Sequence, residues 1–322
     1  MTRARESLSV LVASAFLPEV EAEFANAFDA TFEATNQPAR AIRASDRDFD
    51  AVLVSLDAPM PAEAIAALPE SVRAIATYSV GTDHIDLAAA RERGIAVFNT
   101  PGVLSDSVAE NAIFLMLGAA RRATESIALI RDREWPGWNP RQLVGVELSG
   151  RRLGILGLGD IGMRIATRAQ ALGMEILYCN RHRLSGDDDR GFAFRPSPEE
   201  LIADADVFMI STPSTPETRN LVDAELLRHA RSGSILVNIA RGDIVDDDAL
   251  IDALAEGRVW AAGLDVFAGE PNVAPGYFEL PNVFMLPHIG SSTIEARLRM
   301  GRILIEALDA WRRGLPPANR VC

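Results

Sequence analysis

The chain contains no lysine: all 32 of its basic residues are arginine. Without a side-chain amine no Schiff base can form, which excludes pyridoxal-phosphate enzymes and imine-forming aldolases. A Walker-type phosphate loop lacks its essential amine for the same reason. Cysteine is almost missing as well. Cys179 and Cys322 stand far apart, so they offer neither a disulfide framework nor a zinc cluster, and they fit a reducing compartment such as the cytoplasm. With four histidines (His84, His182, His229, His288) and three tyrosines, a general base comes from this small set or from a carboxylate. No apolar run approaches the ~20 residues needed to cross a bilayer. Positive charge is in deficit, 32 residues against 45 acidic ones for a net −13. That balance argues against a nucleic-acid or anionic-membrane surface.

What is present is a sequence of 322 residues, 48% apolar, long enough for about two domains and a large core. Arg3 and Arg5 ahead of the apolar run Leu8–Phe16 loosely imitate a signal peptide, but Glu6 interrupts the basic stretch and Ser9 and Ser14 interrupt the run. A first strand over Leu8–Ala13 is the better reading. Further short apolar runs predict strands at Val52–Ser55, Ala74–Thr77, Ala96–Phe98, Arg152–Leu156, Glu175–Cys179, Val207–Ser211, Ser234–Asn238, Trp260–Asp265 and Val283–Met285. Between them lie segments with helical apolar spacing, such as Ile161–Leu172 and Leu250–Leu254. Ser197-Pro198-Glu199-Glu200 reads as a capping box. Such alternation implies an α/β fold of βαβ units with parallel sheets.

Two breaks divide the chain. Asn99-Thr100-Pro101-Gly102 precedes a long apolar helix running from Val108 to about Arg131, and Pro287-His288-Ile289-Gly290 precedes a final helix, Thr293 to Trp311. Read as two crossings between lobes, they join residues 1–100 with 291–322 and leave 101–290 as an inserted lobe. Asp187-Asp188-Asp189 is most simply a solvated loop, and His229 falls near a helix C-terminus, where a cation suits the dipole.

The strand Arg152–Leu156 runs directly into Gly157-Leu158-Gly159-Asp160-Ile161-Gly162 and a helix follows. A bare G-x-G-x-x-G is common, but at the end of a strand and the start of a helix it reads as a dinucleotide fingerprint. Gly157 permits the tight turn, Gly159 the approach of a pyrophosphate, and Gly162 close helix–strand packing. The helix N-terminus supplies free N–H groups for the phosphates. About 20 positions on, an NAD enzyme is expected to place an acidic residue against the ribose. Here the chain reads Asn180-Arg181-His182-Arg183. Asn180 removes the carboxylate that would repel a 2′-phosphate, and Arg181, with Arg183 as the weaker candidate, offers a guanidinium fork to it. The expectation is a preference for NADP(H) over NAD(H).

Ionisable residues beside strand ends complete the set: Arg241 after Val237-Asn238-Ile239-Ala240, Asp265 and Glu270 after Gly263-Leu264, and His288 after Leu286-Pro287. Arginine can bind a carboxylate and polarise a carbonyl, histidine can move a proton, and glutamate can fix and charge the imidazole. Arg241 lies 29 residues before Glu270, and Glu270 lies 18 before His288. In this order and spacing the sequence resembles the D-isomer-specific 2-hydroxyacid dehydrogenases. Ser79-Val80-Gly81-Thr82-Asp83-His84 is similar to that family's substrate-carboxylate loop, Ser107-Val108-Ala109-Glu110 to its hinge helix, and Ser211-Thr212-Pro213 with Thr215 and Thr218 to its adenosine-side loop.

The resemblance implies two Rossmann-like lobes with the active site in the interdomain cleft. Residues 1–100 and 291–322 would form a flavodoxin-like substrate lobe, and 101–290 the dinucleotide lobe. It implies Arg241, Glu270 and His288 as catalytic residues, Val80, Gly81 and Arg241 as substrate contacts, and no metal. It implies further cofactor contacts from Ile239, Ala240, Asp265 and Gly290, with Asp265 orienting the nicotinamide carboxamide. Members are typically homodimers built on the cofactor lobe; Trp135 and Trp138 then read either as a dimer contact or, as the resemblance implies, as the place where one tryptophan reaches the neighbouring subunit's site. The Ser-Val-Gly loop and the Asn-Arg pair look most like glyoxylate/hydroxypyruvate reductases, including 2-ketogluconate reductases. An NAD-linked D-lactate or D-3-phosphoglycerate dehydrogenase, or a cofactor-sensing corepressor, is the alternative.

Overall fold

The computed structural model describes residues 7–322; Arg3, Arg5 and Glu6, which bear on the signal-peptide reading, lie outside the described residues. The chain divides into two compact units, one running up to Leu104 and resuming at Ser291–Cys322, the other Ser105–Gly290.

In the first unit, strands β1 (Ser9–Val12), β2 (Asp29–Phe32), β3 (Ala51–Val54), β4 (Ala74–Thr77) and β5 (Ala96–Phe98) pair in parallel in the order β2-β1-β3-β4-β5. This is the flavodoxin-like doubly wound order. Strands β1, β3, β4 and β5 are buried along their whole length, which explains why they read as unbroken apolar runs rather than as alternating patterns. Strand β2 has no such run. It is a half-exposed edge strand, so its pairing comes from the neighbouring β1 and not from a hydrophobic signal of its own. The helix Ile294–Arg312 belongs to this unit and starts on Thr293, whose hydroxyl accepts the Ala296 N–H at 3.2 Å.

The second unit holds β6 (Arg152–Leu156), β7 (Glu175–Cys179), β8 (Ala193–Phe194), β9 (Val207–Ile210), β10 (Ser234–Asn238), β11 (Val259–Leu264) and β12 (Val283–Met285). They form one parallel sheet in the order β12-β11-β10-β9-β6-β7-β8. Because β6 is flanked by β9 and β7, the loops leaving β6 and β9 part to opposite faces, and their carboxyl ends open the crevice where ligands bind in such sheets. Ser197 caps its helix as predicted, accepting the Glu200 N–H at 3.2 Å with Pro198 at the first helical position.

Two expectations are corrected. The single helix predicted from Val108 to Arg131 is two, Ser105–Ala120 and Ala123–Arg131. The Val146 N–H bonds to the Ala120 carbonyl at 2.9 Å, taking the acceptor that a continuing helix would need. Arg122 turns left-handed at φ 55°, and its Nε donates to Glu125 at 2.7 Å. The segment read as a solvated loop is not solvated at its last residue. Asp189 is buried and accepts the Gly191 N–H at 2.9 Å and the buried Tyr178 hydroxyl at 3.4 Å. No helix among the described residues is long and apolar enough to cross a membrane.

Candidate active site

The second unit brings its ionisable residues together at the carboxyl ends of β10, β11 and β12. His288 Nδ1 lies 2.8 Å from Glu270 Oε2, and the other carboxylate oxygen accepts the Phe267 N–H at 2.8 Å. Burial pushes the Glu270 carboxyl up, but the hydrogen bonds from His288 and Phe267 and the charges of His288 and Arg241 outweigh it and hold the group below the usual carboxylate range. With Nδ1 committed to Glu270, Nε2 is the imidazole nitrogen available to exchange a proton with a substrate.

His288 itself sits in the left-handed region, φ 52°, an uncommon and costly conformation for a residue with a Cβ. Asp265, the first residue after β11, imposes it. Its backbone carbonyl accepts the His288 N–H at 2.8 Å, while its two carboxylate oxygens accept the Ile289 and Gly290 N–H groups at 2.9 Å each. Asp265 is only 1% exposed, and burial raises its carboxyl above the ordinary value in spite of these amides and the nearby His288. In the structure its hydrogen bonds hold the histidine loop, and each carboxylate oxygen keeps a further lone pair for the nicotinamide carboxamide contact expected from the sequence. Gly290 is likewise committed, its carbonyl accepting the Ser107 hydroxyl at 2.7 Å.

Arg241 is positioned by Asn238, the buried last residue of β10. The Asn238 amide nitrogen donates to the Arg241 carbonyl at 2.9 Å, and its oxygen accepts the Ala240 N–H at 3.0 Å. Gly242 then lets this loop touch the Glu270 loop: a Cβ there would fall 1.8 Å from the carbonyl carbon of Phe267. The glycine is what allows arginine and glutamate to share one site.

The glycine-rich turn has the form of a phosphate cradle. Gly157 adopts φ 97°, and a Cβ on it would lie 2.7 Å from the Ser211 carbonyl oxygen. At Gly162 a Cβ would strike the Gly157 carbonyl at 2.4 Å, whereas at Gly159 it would meet nothing within 4 Å. Gly157 and Gly162 therefore serve packing, and Gly159 leaves room for a ligand beside the N-terminus of the helix Asp160–Ala171. The Ser211 hydroxyl, buried at the end of β9, has no hydrogen-bond partner among the described residues, as a group kept for a ligand would. Thr218 closes the following loop, donating to the Pro213 carbonyl at 2.7 Å and accepting the Thr215 N–H at 2.8 Å. These features fit a dinucleotide held by the loops after β6 and β9.

Comparison with known proteins agrees with this geometry. Residues 113–290 match the family model described as D-isomer specific 2-hydroxyacid dehydrogenase, NAD binding domain. The chain is 44% identical over 266 residues to a glycerate dehydrogenase of Hyphomicrobium methylovorum, covering 82% of this chain and 83% of that one. It is 41% identical over 277 residues to a glyoxylate reductase of Pyrococcus furiosus, covering 84% and 82%. The chain belongs to the D-isomer-specific 2-hydroxyacid dehydrogenase family. Among solved structures, an NADPH-dependent glyoxylate/hydroxypyruvate reductase from Sinorhizobium meliloti, in complex with NADP and malonate, superposes with a TM-score of 0.89 at 32% identity, over 98% of this chain and 97% of that one. A glyoxylate reductase from Paecilomyes thermophila gives 0.88 at 33% identity, over 98% and 99%.

In this dehydrogenase the arginine pair after β7 divides. Arg181 is exposed, and its charge helps keep Glu217 low, after the hydrogen bonds Glu217 receives from Thr215 and from its own backbone. Arg183 faces Asp189 at 3.9 Å, the balancing role open to a basic turn. Asn180 turns inward to the glycine loop, accepting the Leu158 N–H at 2.6 Å and donating to the Leu158 carbonyl at 3.3 Å.

The Ser79-Val80-Gly81 loop lies in the first unit, after β4. All three of its carbonyls are taken: Ser79 O by the Thr100 N–H at 3.0 Å, Val80 O by Asn99 Nδ2 at 2.8 Å, and Gly81 O by the Ser79 hydroxyl at 2.7 Å. Among the described residues nothing accepts the Val80 or Gly81 N–H, so the loop presents donors only. His84 stabilises the turn from behind, with Nε2 at 2.8 Å from the Thr77 hydroxyl, which in turn lies 2.8 Å from the Ser79 hydroxyl.

Sequence reasoning missed one network in the cofactor unit. Asp106 binds Arg164 at 2.7 Å and Arg168 at 2.9 Å, and Arg164 also reaches Asp160 at 3.2 Å. Only the i,i+4 relation of Asp160 and Arg164 could have signalled it.

Proposed function

We propose that the chain is an NADPH-dependent reductase of small 2-keto acids of the glyoxylate or hydroxypyruvate type, forming the D-2-hydroxy acid with His288 as proton donor. The observation that carries this reading is the 2.8 Å contact between His288 Nδ1 and Glu270, in a loop fixed by Asp265. The bound nicotinamide cofactor supplies the hydride. The Arg241 guanidinium takes the substrate carboxylate and polarises the carbonyl, and His288 Nε2 gives its proton to the forming alkoxide. Glu270 keeps the imidazole charged until that transfer. In the first unit, the Val80 and Gly81 amides offer two more donors to the carboxylate.

Support for NADPH comes from Asn180, which replaces an acidic residue with a neutral one, and from the exposed Arg181 beside it. The relatives' names support the substrate class. Losing a charge-assisted fork costs about 1.5–3 kcal/mol, so Arg181→Ala is expected to lower the NADPH-over-NADH ratio of kcat/KM by about tenfold or more. The test is oxidation of NADPH and of NADH across glyoxylate, hydroxypyruvate, 2-ketogluconate, pyruvate and phosphohydroxypyruvate. Equal efficiency with both cofactors would overturn the cofactor assignment.

A homodimer through the cofactor unit is also part of this reading. Phe114, Ile127, Ile130, Trp138 and Val144 are all exposed, on the two helices after the first break and the segment that follows them, with Trp138 82% exposed. An apolar surface of this kind is a mark of a protein–protein interface.

A further inference from the structure

The carboxyl end of β4 holds a cation whose role the catalytic set does not explain. Tyr78, the residue after β4, is buried, stacks near Phe16 with ring centroids 4.5 Å apart, and donates its hydroxyl to the backbone carbonyl of Arg297. The Arg297 guanidinium lies over the same ring, 5.7 Å from its centroid, and Nη2 donates to the Ser292 hydroxyl at 3.0 Å. Both partners are neutral. Among the described residues no carboxylate lies within ion-pair distance of Arg297, whereas Arg302 on the same helix grips Glu23 at 2.8 Å. Burial works against the Arg297 cation and lowers its pKa from the usual arginine value, with Tyr78 opposing. A partly desolvated charge without a counter-charge is costly to keep. Such a group is a candidate for ligand recognition when it stands beside other uncommitted donors. Those donors are the Val80 and Gly81 amides, two and three residues after Tyr78.

We propose that Arg297 is a specificity-determining residue that binds an acceptor oxygen on carbon 3 of a 2-keto acid whose carboxylate rests on the Val80 and Gly81 amides. The inference rests on the reaction proposed above and names its substrate class: 2-keto acids with a hydroxyl or a carboxylate on carbon 3, in preference to those with a methyl group there. A fork placed over the Tyr78 ring and steadied by Ser292 is already oriented, so little rotamer freedom is lost when the acceptor arrives.

The test compares kcat/KM for glyoxylate, which has no carbon 3, with pyruvate, hydroxypyruvate and oxaloacetate, in the natural chain, Arg297→Met and Arg297→Lys. A hydrogen bond to a charged group corresponds to about ten- to hundredfold discrimination. The natural chain is expected to favour hydroxypyruvate or oxaloacetate over pyruvate by that factor, and whichever gains identifies the hydroxyl or the carboxylate. Arg297→Met keeps an apolar stem on Tyr78 and leaves the backbone bond to Tyr78 in place. It is expected to lower that ratio at least tenfold, mainly through KM, with partial recovery in Arg297→Lys. Equal use of pyruvate and both substituted acids by the natural chain overturns the inference. So does a parallel loss on all four acids, glyoxylate included, in the lysine variant or in a folded methionine variant, since that marks a purely structural arginine. Failure of the natural chain to reduce any 2-keto acid is a different result: it removes the proposed reaction itself.

Discussion

Replacing Glu270 by glutamine would keep an acceptor for the Phe267 N–H and remove the charge facing His288. The two side chains are 28% and 33% exposed and meet at 2.8 Å. With charge centres about 4 Å apart, the attraction runs from ~1 kcal/mol in water to ~4 kcal/mol at a near-surface effective dielectric. The partial exposure places it at about 1.5–3 kcal/mol after screening. At about 1.4 kcal/mol per factor of ten, its loss lowers the reductive kcat/KM at alkaline pH by about ten- to hundredfold. The sign follows from the hydrogen bonds that keep Glu270 below the usual carboxylate range: it stays ionised through the working range and stabilises the imidazolium. Reduction needs the protonated imidazole, so activity falls as pH rises and that proton is lost. Without the carboxylate the loss comes earlier, and the alkaline limb of the reductive profile moves to lower pH. The limb that limits oxidation of the hydroxy acid moves the same way, because that direction needs neutral imidazole. Measuring kcat/KM in both directions across about pH 5 to 10 reads both limbs. An unmoved profile with full activity would refute the role of Glu270 and the proton path through His288.

Three further outcomes test the same geometry. Gly242→Ala puts a Cβ 1.8 Å from the Phe267 carbonyl carbon, and such overpacking should cost about 1–3 kcal/mol or more and separate Arg241 from Glu270; an unchanged Tm with undiminished kcat contradicts the contact. Asp265→Ala orphans the Ile289 and Gly290 amides and releases the left-handed His288, so kcat should fall with a stability loss of about 1–3 kcal/mol for each buried donor left unmet. Asp265→Asn, which can still accept one amide, should restore part of both, and equal behaviour of the two variants would show that these bonds do not hold the loop. Ile130→Glu combined with Val144→Glu should make sedimentation report a monomer if the exposed apolar face joins two copies, since burying unpaired carboxylates there is prohibitive; a natural chain that is already monomeric removes the dimer.

Much of the architecture was legible because parallel strands are buried on both faces and advertise themselves as apolar runs. Strands β4, β5, β6, β7, β10 and β12 begin and end where those runs do. Where burial is incomplete the signal fails, as at edge strands β2 and β8, and where a distant residue captures a backbone carbonyl, as Val146 does at Ala120, helical periodicity cannot show it. At the site, residue types and order were readable, but the division of labour was not. Asn180 was legible as the missing acid, yet its bond to Leu158 needs the neighbouring strand end. Asp265 was legible as an acidic strand end, and only the folded loop shows its oxygens committed to Ile289 and Gly290.

The sequence by itself determined the chemistry available: no amine, few thiols, a glycine turn between strand and helix, and an arginine, a glutamate and a histidine in fixed order. Hydrophobic periodicity and residue type are local properties, so they survive in one dimension. The tertiary structure alone decided which of these groups face one another. It set the contact of His288 with Glu270, the passage opened by Gly242 between two loops, the turning of Arg183 onto Asp189, and the cation of Arg297 left over Tyr78 with no carboxylate beside it among the described residues. Each depends on distance in space between residues remote in the chain, which only the packing of the strands and helices fixes.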